Sequence, residues 1–392
     1  MEKKSYSPDK LCAFFSPLKI LLEAGATART GIEARRLGAK KALIVTDPGI
    51  VAAGLVEPVR ASLLGEKIEV SVFDGVEPEP SARVMDRAGQ AARAGGVDVI
   101  IGLGGGSSLD TAKGASILGT NEGGVLDYAG HDMVPTRGLP KVLLPTSASG
   151  SEVTRVFAPT DEKDGTKKVI YTPFNLAEVV IVDPLLGMSM PPEMTAETGI
   201  DGMVAAIESY VCVNESPFSD LLALEAIRLA SRSLPVAFAK ADHLGARLDL
   251  CLSAVLANLA WQSGGLGAVH GLTYVLETEC GLKHARASSV MLPHVMEYNL
   301  VGALGRYASV AEAMGENVSG LSPFDAAERA VFAVWRLLRA VGISDRLSDY
   351  GVTKEHLPRL VAGAMKQARL FVPNPRNLTE EDVEKIYLNA LG

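Results

Sequence analysis

Hydrophobic and polar positions along this chain follow two different periods. Short apolar, β-branched runs at Lys41–Thr46, Ile68–Phe73, Val99–Ile101 and Val179–Val182 read as strands, and Ile20-Leu21-Leu22 before Gly25 adds another. Between them lie helical spacings over Thr30–Arg36 and Gly49–Leu64, and a helix capped by Ser81 that runs to Ala94. Strands alternating with helices predict right-handed βαβ units and a parallel sheet covered on both faces. Asp183-Pro184 breaks the last strand. Beyond it, residues 193–213, 217–240, 246–262, 302–315, 323–341 and 354–370 carry helical spacing with few strand signals. The expected architecture is an α/β domain over residues 1–183 followed by an all-α domain over residues 184–392.

The stretch Val99–Lys113 organises the first half. Its strand breaks into Gly104-Gly105-Gly106, and Ser107 stands where a helix N-cap is expected. Three glycines let the backbone turn sharply and approach a ligand closely. The free N–H groups and the dipole of the following helix then form an anion site, so the pattern predicts a bound diphosphate. The spacing is not G-x-G-x-x-G, so the cofactor stays open on this pattern alone, as does a tight turn with no ligand. Ligands on such sheets sit beyond the strand C-termini, where Asp47 and the glycine turn both fall. The hydroxyl-rich segment Pro145–Glu152 reads either as a wrap around a cofactor or as a plain loop.

Composition narrows the class. With 392 residues, 47% hydrophobic and 21% charged, the chain has the make-up of a globular enzyme. A net charge of −8 without a basic block argues against nucleic acid or an anionic membrane as partner. The apolar stretch Leu248–Trp261 is interrupted by Asp249, Ser253 and Asn258 and reads as a core helix. No apolar segment follows the N-terminal charges directly, so no signal peptide is expected. Four cysteines without C-x-x-C pairing predict buried, reduced thiols in a cytoplasmic protein.

Gly104–Lys113, Gly150-Ser-Glu152, Val182-Asp-Pro184, Thr198-Gly-Ile-Asp201, His270-Gly271 and Pro293-His-Val-Met296 occur together and in order, within a likeness that runs from Pro17 to Asn374-Pro-Arg376. This set resembles the iron-containing (group III) alcohol dehydrogenase family, whose fold is of the dehydroquinate synthase-like type. The resemblance implies a dinucleotide-binding domain, a helical domain that binds metal and substrate, and a homo-oligomer. It implies NAD(H)-dependent hydride transfer between a small alcohol and its aldehyde. It places Gly104, Gly105, Gly106 and Ser107 on the diphosphate and Asp47 on the adenosine ribose. A carboxylate there repels a 2′-phosphate and favours NAD over NADP. Thr146 and Ser147 match hydroxyl contacts to the cofactor, and Lys167 or Lys168 matches a cofactor-side lysine. Asp110 either orients groups near the nicotinamide or caps its helix. The loop around Ser149 is one residue shorter than the common family form, a shortening similar to that in maleylacetate reductases.

For the metal, the resemblance implies an aspartate, a histidine four residues later and two further histidines. Asp201, His270 and His284 match three of these positions, while the second falls on Ala205, which cannot ligate. One acid and two imidazoles, an arrangement similar to that of glycerol dehydrogenases, suit Fe²⁺ or Zn²⁺. Satisfied core histidines are the competing reading. Tyr274 stands where the family often has a further histidine, and either donates a proton or shapes the substrate pocket. The basic run Lys283-His-Ala-Arg286 either attracts an acidic aldehyde or is a solvated surface. Three alternatives stay open: a metal-independent reductase resembling maleylacetate reductases, a lyase of the dehydroquinate synthase type, and a non-catalytic dinucleotide-binding protein.

Overall fold

The computed structural model describes Tyr6, Asp9 and residues 11–392. They form two compact units, Phe15–Met190 and Pro191–Gly392, the latter joined by the N-terminal residues as far as Phe14. Asp183 belongs to the first unit. Its carboxylate accepts from Leu185 N at 3.1 Å, Gly25 N at 2.9 Å and Thr27 Oγ1 at 2.6 Å, tying the end of the last strand to the start of the unit.

The first unit contains strands β1 Lys19–Leu22, β2 Lys41–Val45, β3 Glu69–Phe73, β4 Val99–Gly104, β5 Gly130–His131, β6 Lys141–Pro145, β7 Val156–Phe157, β8 Thr160–Asp161, β9 Thr166–Lys167, β10 Ile170–Tyr171 and β11 Val179–Val182. Six of them form one sheet in the order β1-β11-β6-β4-β2-β3, parallel at every pairing. Its helices are α1 Thr30–Arg36, α2 Pro48–Ala52, α3 Val56–Gly65, α4 Ala82–Gly95 and α5 Gly106–Leu118. The single helix expected over residues 49–64 is two, separated by Gly54 at φ +73. Ser81 caps α4 by accepting from Val84 N, as its position predicts. The small strands β5, β10 and β7 form a separate sheet, and β8 pairs with β9.

The second unit is helical: α6 Pro192–Val211, α7 Pro217–Ala239, α8 Leu244–Gly264, α9 Ala268–Cys280, α10 His284–Asn299, α11 Leu304–Ala313, α12 Pro323–Ala340, α13 Leu357–Lys366 and α14 Glu380–Leu391. Ile200, Met203, Ile227, Leu272, Met291 and Leu338 are among the residues of its continuous buried core. Among the described residues, α8 is the one helix long and apolar enough to cross a membrane, yet over half of it is buried within the unit. It packs on α6 and α7 as a core helix. All four cysteines are free thiols, but only Cys212 is buried; Cys12, Cys251 and Cys280 are half-buried, a correction to the expectation of burial.

Candidate active site

In the first unit, β4 runs straight into the glycine turn. Gly104 takes φ +144, and a Cβ there would stand 2.6 Å from Ser108 Oγ and 3.2 Å from Asp47 Oδ2. Only glycine fits that turn. The N-cap of α5 is Gly105, not Ser107, which lies within the first turn; no side chain caps the helix. Capping needs an extended residue just before the first turn, and Gly105 holds that conformation at φ −77, ψ −173. The first-turn N–H groups of α5 are therefore left for an anion.

Around this turn lie Asp47, Thr146 and Ser147. Asp47 caps α2 through Ile50 N at 3.1 Å and accepts from Ser108 Oγ at 2.9 Å. Thr146 N bonds to Gly104 O at 3.0 Å, and Ser147 Oγ lies 3.4 Å from a Cβ placed on Gly105. Ser149 Oγ, next to Gly106, is buried without a hydrogen-bond partner. An orphaned hydroxyl beside an uncapped helix and a glycine cradle fits a polar, anionic ligand. Lys167 pairs with Glu79 and its charge acts on Asp110, whereas Lys168 pairs with Asp164 at 2.6 Å on the β8–β9 hairpin.

Asp110 makes no cap. It accepts from Ser151 Oγ and lies 3.8 Å from the fully buried Lys113. Lys113 Nζ in turn donates to Ser151 O (2.6 Å), Thr154 Oγ1 (3.0 Å) and Val156 O (2.9 Å). Desolvation pulls Lys113 down and pushes Asp110 up from their ordinary values. These contacts pin the Ser147–Val156 loop to α5. In the same loop Glu152 is buried, with Oε2 unpartnered, and burial pushes its carboxyl up from 4.5 to about 7.

That shift sets a pH dependence. Because the folded state holds the Glu152 proton more tightly, the stability it contributes is full below pH 4.5 and is lost as pH rises towards 7. Glu152→Gln is therefore expected to match wild type near pH 4.5 and to exceed it by about 3 kcal/mol at pH 7 and above. Thermal unfolding from pH 4.5 to 8 checks this; a gap independent of pH contradicts it.

The second unit brings Asp201, His270 and His284 together, with one ligand atom of each lying within 4.8 Å of the others. Asp201 is on α6, His270 in the first turn of α9 and His284 at the start of α10. Each imidazole is aimed by a carboxylate: His270 Nδ1 meets Glu208 Oε2 at 2.5 Å, and His284 Nδ1 meets Glu277 Oε1 at 2.6 Å. Both Nε2 atoms are thus left as candidate ligands, and His284 Nε2 lies 3.5 Å from Asp201 Oδ1. Two donors each about 2.1 Å from one cation take a comparable spacing. Ser288 Oγ steadies Asp201 by donating at 2.7 Å. The donor set and its carboxylate supports fit a divalent cation.

Ala205 is buried on the same face of α6 as Asp201 and supplies no ligand. Tyr274, one turn after His270, packs its ring 6.2 Å from the His270 ring and 5.6 Å from that of His284. Arg286 is held by Glu193 and Glu197 and stacks on Tyr350, so its charge is already matched. His294 bonds Asp345 O at 2.9 Å and packs on Trp335, away from this cluster. Glu208, Glu277 and Ser288 were not singled out from the sequence. A signal existed for the two acids: each falls seven residues, two helical turns, after Asp201 or His270.

Comparison with known proteins identifies the family. The iron-containing alcohol dehydrogenase family model matches residues 17–184, and the C-terminal model of the Fe-containing alcohol dehydrogenase family matches residues 195–391. The chain is 41% identical over 372 residues to long-chain-alcohol dehydrogenase 1 of Geobacillus thermodenitrificans, covering 94% of each. A crystal structure of a 1,3-propanediol oxidoreductase superposes with a TM-score of 0.95 at 36% identity, over 97% of this chain and 100% of that one. Sulfoacetaldehyde reductase from Bifidobacterium kashiwanohense, solved in complex with NAD⁺, superposes with a TM-score of 0.89 at 27% identity, over 97% and 99%. The chain belongs to the iron-containing alcohol dehydrogenase family.

Proposed function

We propose that this protein is an NAD(H)-dependent alcohol dehydrogenase or aldehyde reductase that uses one divalent cation, Fe²⁺ or Zn²⁺. The convergence of Asp201, His270 and His284 on one point carries this reading. When bound, the cation would polarise the alcohol or carbonyl oxygen as a Lewis acid, and the nicotinamide would take or give the hydride. The chain's own residues prepare that site. Ser288 orients Asp201, Glu208 and Glu277 orient the imidazoles, and Tyr274 shapes the space against both rings. Gly104, Gly105, Gly106 and Ser107 receive the diphosphate, with Thr146, Ser147 and Lys167 beside it. Asp110 acts through Ser151, holding the cofactor loop. Paired Arg286 leaves exposed Lys283 as the basic run's remaining offer to an anion, which supports uncharged substrates over acidic ones. The free thiols support a cytoplasmic setting, and the family resemblance supports a homo-oligomer.

Asp47 sets the nucleotide preference. NADH is expected to outperform NADPH by about 100-fold in kcat/KM, and Asp47→Ala to narrow that ratio to about 10-fold or less. The same variant loses the α2 cap, at a cost of about 1 kcal/mol in stability. Steady-state kinetics with both nucleotides checks this; an unchanged ratio contradicts the assignment.

NADH oxidation across a panel of small aldehydes tests the function itself. Turnover lost in chelator and restored by Fe²⁺ or Zn²⁺ is expected. Chelator-insensitive turnover supports the second reading, a metal-independent reductase, which Ala205 favours.

A further inference from the structure

We propose that Glu208 is a positioning residue that selects the metal-ligating tautomer of His270, and that only a carboxylate at this position does so. The inference rests on the metal reading above.

Glu208 is buried on α6 and faces two donors at once. Its Oε1 accepts from Val269 N at 2.6 Å, and its Oε2 meets His270 Nδ1 at 2.5 Å. The Val269 N–H lies in the first turn of α9 and has no intrahelical acceptor, so Oε1 must serve it. A carboxylate presents an acceptor at Oε2 as well. Nδ1 must then carry the ring proton, and Nε2 keeps its lone pair for a cation.

An amide of the same shape reverses this. Its single oxygen is claimed by the Val269 N–H, which sets its NH₂ against Nδ1. A neutral imidazole facing that donor accepts at Nδ1 and carries its proton on Nε2, where it cannot ligate. Turning the amide round instead opposes two buried donors. Space is tight as well: a Cβ on Gly267 would stand 2.9 Å from Glu208 Oε1. The consequence is sharper here than in a four-ligand centre, because Ala205 offers nothing in reserve.

The test compares wild type, Glu208→Gln and Glu208→Asp as full-length, metal-free proteins. Zn²⁺ affinity is measured by competition with a chelator, and the His270 tautomer by NMR of ¹⁵N-labelled histidine. E208Q is expected to weaken Zn²⁺ binding by about 100-fold and to move the His270 proton from Nδ1 to Nε2. E208D, shorter but still offering two acceptors, is expected to bind Zn²⁺ more tightly than E208Q. A role in packing alone predicts the opposite order, since glutamine is the better fit in shape. Wild-type affinity in E208Q, tighter binding by E208Q than by E208D, or an Nε2–H tautomer in the wild type overturns the proposal. Should E208Q not fold, the wild-type tautomer alone decides it. Should the wild type bind no Zn²⁺, the metal reading fails while the tautomer comparison still judges this inference.

Discussion

Asp201→Ala is expected to empty the metal site and lower kcat/KM by about three orders of magnitude, equivalent to about 4 kcal/mol of transition-state stabilisation. Asp201 is the one anionic member of the ligand cluster; on that face of α6 Ala205 offers no ligand and Glu197, one turn before, is already engaged by Arg286. Two neutral imidazoles would remain, on separate helices, and they hold a divalent cation far more weakly than three ligands that include a carboxylate. The fold has less to lose. Asp201 is half-buried, and its hydrogen bond from Ser288 Oγ is replaceable, because that hydroxyl lies 3.2 Å from Ala285 O as well. Metal content and kinetics of the variant, with circular dichroism as a control for folding, check the expectation. Full NADH turnover without metal would contradict the role assigned to Asp201 and favour metal-free reduction.

Gly104→Ala is expected to raise the NADH dissociation constant at least about 30-fold and to cost about 1–3 kcal/mol in stability. The methyl group meets two obstacles. A residue with a side chain is strained at φ +144, and the new Cβ would lie 2.6 Å from Ser108 Oγ and 2.7 Å from Ser108 Cβ. Ser108 cannot move without giving up its 2.9 Å bond to Asp47, so the disturbance reaches the residue assigned to the ribose. Gly105→Ala is the control. Its φ of −77 suits any residue and its nearest obstacle is Ser147 Oγ at 3.4 Å, so stability should stay near wild type. Fluorescence titration with NADH and thermal unfolding separate the two variants; equal behaviour contradicts the account of the turn.

The parallel sheet was legible because its inner strands are buried on both faces and therefore read as continuous apolar runs, as in Val99–Ile101 and Val179–Val182. Helices α4 and α12 announced themselves by one polar and one apolar face, and α4 also by its cap at Ser81; the structure adds Ser322 as the cap of α12. Helices α9 and α10 did not. Both are buried over much of their surface and carry polar residues inward, His270 and Thr273 on α9 and Ser288, Ser289 and His294 on α10, which erases the amphipathic pattern. The same burial hid half of the site. Asp201, His270 and His284 were found through a resemblance, but that Glu208 meets His270 and Glu277 meets His284 follows from how α6, α9 and α10 cross. Ser107 was misplaced as a cap because sequence alone does not show which residue of G-G-G-S leaves the helical conformation. The Asp110–Lys113–Ser151 network is not legible in the sequence for a further reason: a buried lysine is uncommon, and what makes it tolerable, four hydrogen bonds and the carboxylate of Asp110, comes from the folded loop.

The central claim is that Asp201, His270 and His284 hold one cation despite the alanine at position 205. Stripping the protein with chelator, reloading it anaerobically with Fe²⁺ and counting tightly bound iron per chain tests that claim most directly. About one equivalent in the wild type, falling below about a tenth in Asp201→Ala, is the result this account predicts. Stoichiometric iron that survives the substitution, or none in the wild type while NADH turnover persists, would contradict it.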